Sequence, residues 1–371
     1  MNKIDFANLQ KAHEAHKEEI EEAILRVSRN ANYIMGEEVE SLENELVEFV
    51  GSGYAVTCSS GSSALILALM ALGIKAGDEI ITTPFSFIAT SEMITLLGAK
   101  PVFVDISLED YNIDCKKIEN AITSKTKVIL AVSLYGQPPD LNALEKIAKA
   151  HDLFLILDGA QSFGAEFMGR KDSVYGDIAT TSFFPAKPLG CYGDGGAIFT
   201  QNKELADKIA SLRIHGQKKR YIHKYIGIGG RLDAIQAVIL RVKLKYFAND
   251  ILKRNEIASL YDQLLKNTRV ALPKVFENRK SVFAQYTIRI SQREKMIQYL
   301  KKNGIPSAVH YPVGLHLQEC FAYLGYKKGD FPNAELASNE VLSLPMNPYL
   351  ENGEIRYICE KINGELKWKE C

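Results

Sequence analysis

The sequence has little that would staple it together and no charge excess to attract a polyanion. Its six cysteines, at positions 58, 115, 191, 320, 359 and 371, form no CxxC pair and no Cys/His metal spacing. That excludes a disulfide framework and a finger-type zinc site, and free thiols in a reducing cytoplasm are expected. The 45 Lys and Arg balance the 45 Asp and Glu. With no net field, neither nucleic acid nor an anionic membrane is expected as a partner held by bulk charge. The best basic cluster, Lys218-Lys219-Arg220, reads as a solvated loop. Long hydrophobic runs are missing too. Ala64 to Ile74 is the longest, and it is too short to cross a bilayer. The N-terminal stretch is polar and has no apolar signal core. No internal repeat or low-complexity segment is present. No GxGxxG follows the first strand and there is no GKS or GKT, which removes the dinucleotide and P-loop readings. Gly227-Ile228-Gly229-Gly230 follows no apolar strand, so it is no exception.

What is present is alternation. Apolar runs at Tyr54–Ser59, Glu79–Pro84, Pro101–Ile106, Val128–Leu134, Leu153–Asp158, Ile178–Phe184 and Ala197–Thr200 read as strands. Between them, helical patterns fall at Ala64–Leu72, Phe87–Leu97, Cys115–Ile122 and Leu141–His151. Continuous apolar strands separated by amphipathic helices predict a mainly parallel sheet covered on both faces. Arg231 to Asn267, free of proline and glycine, predicts one long helix. Beyond it the rhythm changes: a strand at Val282–Ile290, a helix at Glu294–Lys302, a short strand at Ser307–His310, and helices near Leu315–Leu324 and Asn333–Leu342. At 371 residues two lobes are expected, a large α/β domain over 1–245 and a small α+β domain over 246–371.

Three stretches carry chemistry. Ser59-Ser60-Gly61-Ser62-Ser63 follows a strand and opens a helix. Unobstructed N–H groups at a helix N-terminus, with added hydroxyls, form an anion cradle; a plain N-cap would explain only one of these residues. Asp158 ends the strand LFLILD, where ligands sit in parallel sheets. Lys187 lies among aromatics, prolines and glycines in TSFFPAKPLGCYGDGG, 181–196. Alone it reads as a surface charge. Desolvated in a tight loop, its amine would lose its proton and could attack an aldehyde to form a Schiff base. Together the three match the anchors of pyridoxal phosphate: phosphate on the helix N-terminus, ring nitrogen on the carboxylate, aldehyde carbon on the lysine. Phe87, which taken alone reads as a core phenylalanine, could stack on such a ring.

These motifs resemble the DegT/DnrJ/EryC1/StrS family of pyridoxal-phosphate-dependent nucleotide-sugar aminotransferases of fold type I, over nearly the whole chain. The resemblance rests on Ile34 to Val39, Ser60 to Leu65, Pro84 to Thr90, Leu134 to Gln137, Asp158 to Ser162, Ser182 to Gly196, His310-Tyr311-Pro312 and Ser343 to Met346. It implies Lys187 as the Schiff-base lysine and Asp158 as partner of the ring nitrogen. It implies Gln161 near the ring hydroxyl, Phe87 stacked on the ring, and Gly61, Ser62 and Ser182 on the phosphate. It implies a homodimer in which a loop within 215–231 crosses into the neighbour's site with Arg231, and a sugar-nucleotide pocket lined by His310 and Tyr311. Two positions depart from the family pattern. Ser60-Gly61-Ser62 replaces Ser-Gly-Thr and keeps the hydroxyl. Gly229 stands where an asparagine often reaches the neighbour's phosphate, a role open to the Lys and Arg residues of 218–224.

The implied reaction moves an amino group from glutamate, by way of pyridoxamine phosphate, to a nucleotide-linked keto sugar, with 2-oxoglutarate as co-product. Within the family the chain most resembles enzymes that aminate C3 of UDP-2-acetamido-2-deoxy-3-oxo-glucuronate for O-antigen lipopolysaccharide. Arg231, His310 and the basic loop would then hold the uronate carboxylate. A dTDP-linked 3-keto-6-deoxyhexose or a 4-keto sugar is the alternative. A pyridoxamine-dependent dehydratase would replace the lysine with histidine, and Lys187 stands against it.

Overall fold

The computed structural model describes residues 4–367. Its centre is a seven-stranded sheet. In chain order the strands are β1 (Tyr54–Cys58), β2 (Glu79–Thr82), β3 (Lys100–Phe103), β4 (Thr126–Val132), β5 (Phe154–Asp158), β6 (Ile178–Ser182) and β7 (Gly196–Thr200). Their order across the sheet is β1-β7-β6-β5-β4-β2-β3. Strands β3, β2, β4, β5 and β6 run parallel, whereas β7 pairs antiparallel with both β6 and β1. The sheet is mainly parallel, as expected, with one antiparallel strand, β7, second from its edge. The reason is local: the loop 183–195 turns straight back from β6 into β7 with no crossover helix.

Apolar side chains cover both faces. One core joins Val39, Leu42 and Leu46 of α1 (Glu37–Val50) to Ile129, Leu155, Phe163, Phe183 and Phe247. The other packs α2 (Gly61–Ala71) on Ile80, Val128, Ile156 and Ile198. Helix α2 is apolar nearly all round because it is enclosed by sheet and helices, the fate its uninterrupted hydrophobic run predicts.

Helix α3 (Ala234–Leu265) is the long helix anticipated at 231–267. It contributes Ala237, Leu240 and Phe247 to the first core and Ile257, Ala258 and Tyr261 to a further core reaching Ile362. That core also takes in Ile4, so the start of the chain packs against its end. Further along, β8 (Tyr286–Arg289) pairs antiparallel with β9 (Val341–Leu344). Three expectations fail in this part. The helix at 333–342 is Pro332–Glu340, and its last predicted residues belong to β9, where Val-Leu-Ser-Leu is buried at every position. The strand at 307–310 is a single bridge between Ala308 and Ser343. The helix at 315–324 is a pair of 3-10 turns. Among the described residues no helix is long and apolar enough to cross a membrane, and no grouping of His, Cys, Asp and Glu could hold a metal ion.

Candidate active site

A cavity of about 540 Å³ opens at the carboxyl ends of the parallel strands. Nine of the ten residues singled out from the sequence line it: Gly61, Ser62, Phe87, Asp158, Gln161, Ser182, Lys187, His310 and Tyr311. The tenth, Arg231, is half-buried and lies outside this lining.

The N-terminus of α2 forms one wall. Ser60 is its N-cap, accepting from the Ser63 N–H at 3.0 Å and donating to the Ser63 hydroxyl. The capping hydroxyl is thus committed, and the N–H groups of the first turn stay open to an anion. Gly61 has to be glycine for a packing reason. A Cβ there would stand 2.7 Å from the Ser182 Cβ. The two strand ends that flank the cradle approach that closely, so Ser182 sits beside the same N–H groups.

Asp158 ends β5 and is only 4% exposed. One carboxylate oxygen accepts from the Thr90 hydroxyl at 2.8 Å and the other from the Ala160 N–H at 3.1 Å. Burial pushes its pKa up; the Thr90 and Ala160 donors and the nearby Lys187 charge oppose this. Burial also pushes the Lys187 amine down, opposed by Asp158. Each group is therefore shifted toward its neutral form by desolvation, with the other too weak a partner to cancel it. A cationic ring nitrogen would supply the counter-charge that Asp158 otherwise lacks.

Gln161 spans the opposite side. Its Oε1 accepts from the Tyr135 N–H at 2.9 Å and its Nε2 donates to the Tyr311 hydroxyl at 3.0 Å. The Tyr311 ring stands 6.2 Å from that of Phe87. Phe87 is 55% exposed, an aromatic face left open at the cavity mouth. His310 is held neutral: burial, then the Lys187 charge, pulls its pKa down to about 4. It presents a neutral ring to the cavity. Thr90, Ser86, Asp194 and Gln285 also line the cavity, and the sequence alone did not single them out. For Thr90 the signal was present, since it closes the motif Pro84 to Thr90, but its pairing with Asp158 joins residues 68 apart.

Among the described residues Lys187 is the only Lys or Arg lining the cavity, against Asp158 and Asp194. Fold and site together define an α/β protein whose cavity sets an open helix N-terminus and a buried carboxylate beside a desolvated amine. The chain belongs to the DegT/DnrJ/EryC1/StrS aminotransferase family, whose model matches residues 14–363. It is 46% identical to the UDP-2-acetamido-2-deoxy-3-oxo-D-glucuronate aminotransferase of Pseudomonas aeruginosa, over 97% of this chain and 100% of that one. A solved S. venezuelae structure, DesV in complex with a ketimine intermediate, superposes with a TM-score of 0.97 at 34% identity, covering 99% of both chains. A Bacillus subtilis relative solved with bound cofactor PMP gives a TM-score of 0.92 at 30% identity, covering 99% of this chain and 86% of the other.

Proposed function

We propose that this protein uses pyridoxal phosphate to transfer the amino group of glutamate to C3 of UDP-2-acetamido-2-deoxy-3-oxo-glucuronate, in the assembly of a bacterial surface polysaccharide. The observation that carries the cofactor assignment is the placing of the Gly61–Ser62 cradle, Asp158 and Lys187 around one cavity. The residues fit the group. The cradle is open because Gly61 lacks a Cβ, the buried carboxylate lacks a cation, and the volume is ordinary for a cofactor with a substrate. Bound pyridoxal phosphate would supply an electron-withdrawing cationic ring and a carbonyl carbon that takes up and gives up the amino group.

The chain's own residues do the rest. The N–H groups of Gly61 and Ser62 and the Ser182 hydroxyl hold the phosphate. Phe87 packs on one ring face, and Gln161 reaches the ring hydroxyl. Asp158 holds the proton on the ring nitrogen, which its own desolvation requires. The Lys187 amine, driven toward its free-base form by burial, would hold the group through its carbonyl carbon. The same Nζ, when free, would hold and return the proton that the amino-group exchange moves.

The sugar assignment is supported by the identity of 46% to the Pseudomonas enzyme across its full length. The charge balance supports a homodimer with shared sites. Phosphate, diphosphate and carboxylates need more positive charge than Lys187 provides, and among the described residues the lining holds no other Lys or Arg. An exposed hairpin, β-paired between Gln217–Lys219 and Ile222–His223, carries Lys218, Lys219 and Arg220 beside Tyr221, Ile222 and Ile226, of which Ile226 is 89% exposed. A second copy of the chain would bury this apolar surface, deliver those cations and Arg231, and answer for Gly229. The test is amination of a panel of UDP- and dTDP-linked keto sugars with glutamate, the product carbon identified by NMR. Amination at C3 of the UDP-uronate is expected. Preference for a dTDP-hexose would overturn the substrate, and full turnover by Lys187→Arg would overturn the mechanism.

A further inference from the structure

Lys187 stands at the centre of a turn that does little to hold itself. The loop 183–195 is closed at its base, where the Phe183 N–H donates to the Gly195 carbonyl at 2.7 Å and the Cys191 N–H to the Phe183 carbonyl at 2.8 Å. Between those points the chain doubles back tightly: a Cβ on Gly190 would stand 2.4 Å from the Pro185 carbonyl oxygen. Pro185 and Pro188 have no N–H to donate. Among the described residues a single backbone bond, from the Lys187 N–H to the Phe184 carbonyl at 2.8 Å, lies within the turn. Leu189 is buried in the first core and anchors one side of it.

The other side is held from outside by α3. Gln236 and Lys243 of that helix are about two turns apart and so share one face. The Lys243 Nζ donates to the Gly190 carbonyl and stands 5.8 Å from the centre of the Tyr192 ring. The Gln236 Oε1 accepts from the Tyr192 N–H at 2.8 Å. Gln236 lies so close across the loop that a Cβ on Gly193 would stand 3.1 Å from its Nε2. Burial pulls the Lys243 pKa down to about 8. A surface lysine would keep its head in water, whereas this one gives up hydration to meet a loop carbonyl.

We infer that Gln236 and Lys243 are positioning residues for Lys187. Gripping the loop at Gly190 and Tyr192, they fix the turn in which Lys187 sits and keep its Nζ directed into the cavity. Neither is among the residues lining the cavity, so both act through the loop. The inference rests on the cofactor reading of Lys187 as the residue that meets the carbonyl carbon. It extends that reading by making α3, which also carries Ile257, Ala258 and Tyr261 into the further core, the element that sets the reach of the amine.

The test is hydrogen exchange read by mass spectrometry on peptides covering 183–195, together with the visible absorbance of pyridoxal phosphate held by Lys187. Lys243→Met keeps the apolar stem and loses the donor. Exchange across 183–195 should rise roughly five- to tenfold, the worth of about one hydrogen bond, with peptides of β3 and β8 unchanged. The balance between free and lysine-held cofactor should shift by a similar factor. The kcat should fall with it while KM for the keto sugar stays as in the wild type. Lys243→Arg keeps a donor and should recover most of the loss. Gln236→Met should give the same pattern, and it decides the matter if Lys243→Met does not fold. Wild-type exchange across 183–195 in a folded variant overturns the inference. So does exchange that rises equally through the whole chain, which is loss of stability alone, or a loss confined to KM. If the wild type binds no pyridoxal phosphate, the proposed function fails, and exchange still decides whether α3 holds the loop.

Discussion

At the scale of single residues, desolvation shapes this site more than ion pairing does. Lys187 and Asp158 are both pushed toward neutrality by burial, and neither is restored by the other. Asp158→Asn keeps the shape but cannot hold a proton on a ring nitrogen. It should lower kcat by about 10²–10³-fold while leaving the cofactor bound. Stopped-flow turnover and the visible absorbance of the lysine-bound cofactor separate the two effects. His310 makes a pH prediction. Its folded pKa of about 4 lies below the ordinary histidine value of 6.5, so the folded state takes up this proton later than the unfolded chain. Its stabilising contribution is complete above about pH 6.5 and is lost as pH falls toward 4. At pH 5 the wild type should have lost about 2 kcal/mol relative to pH 7 through this group alone. Urea unfolding of His310→Gln should show a shallower acid slope. Lys187 and Asp158 were legible in the sequence because each ends or interrupts an apolar run. Thr90 was legible as the close of the motif Pro84 to Thr90, but its bond to Asp158 was not, because a threonine inside a helix gives no local sign of what it meets across the fold.

At the scale of elements, the phosphate cradle depends on how closely α2 and the end of β6 approach. Gly61→Ala would drive a methyl into the Ser182 Cβ, a contact of 2.7 Å with no flexible chain end to yield. Overpacking of this kind costs about 1–3 kcal/mol, and here it falls on the binding surface itself. Cofactor affinity, measured by fluorescence titration of the apoprotein, should drop more than tenfold while the melting temperature falls by only a few degrees. The same element shows what sequence patterning conveys. The seven strands of the central sheet and the long helix α3 declared themselves through long apolar runs and small-residue turns. The stretch 307–344 did not. Its backbone pairs only briefly at Ala308, closes into 3-10 turns at 315–324, and passes from helix to strand at Val341 with no glycine or proline to mark the change. β9 is four residues long and wholly buried, so it lacks the alternation that would reveal a strand, and its pairing with β8 spans more than fifty residues of chain.

At the scale of the whole molecule, the cavity of one chain is short of positive charge and the surface of one chain has apolar residues to spare. A homodimer with shared sites would resolve both, with Lys187 from one copy facing Arg231 and the basic hairpin of the other. That arrangement makes a prediction no single-chain site can meet. Lys187→Ala and Arg231→Ala should each be inactive as homodimers. Mixed after partial unfolding and refolded together, half the dimers carry one chain of each kind. In those, one site holds both defects and the other holds none. Random pairing should therefore restore about a quarter of wild-type activity. Ile226→Asp on both chains should abolish the rescue and shift the sedimentation coefficient toward that of a monomer, because a charge replaces an apolar contact at the proposed interface. Activity regained on mixing shows that the two residues act in one site from different chains. If mixing restores nothing while each variant remains dimeric by sedimentation, Arg231 serves its own chain, and the charge must come from elsewhere.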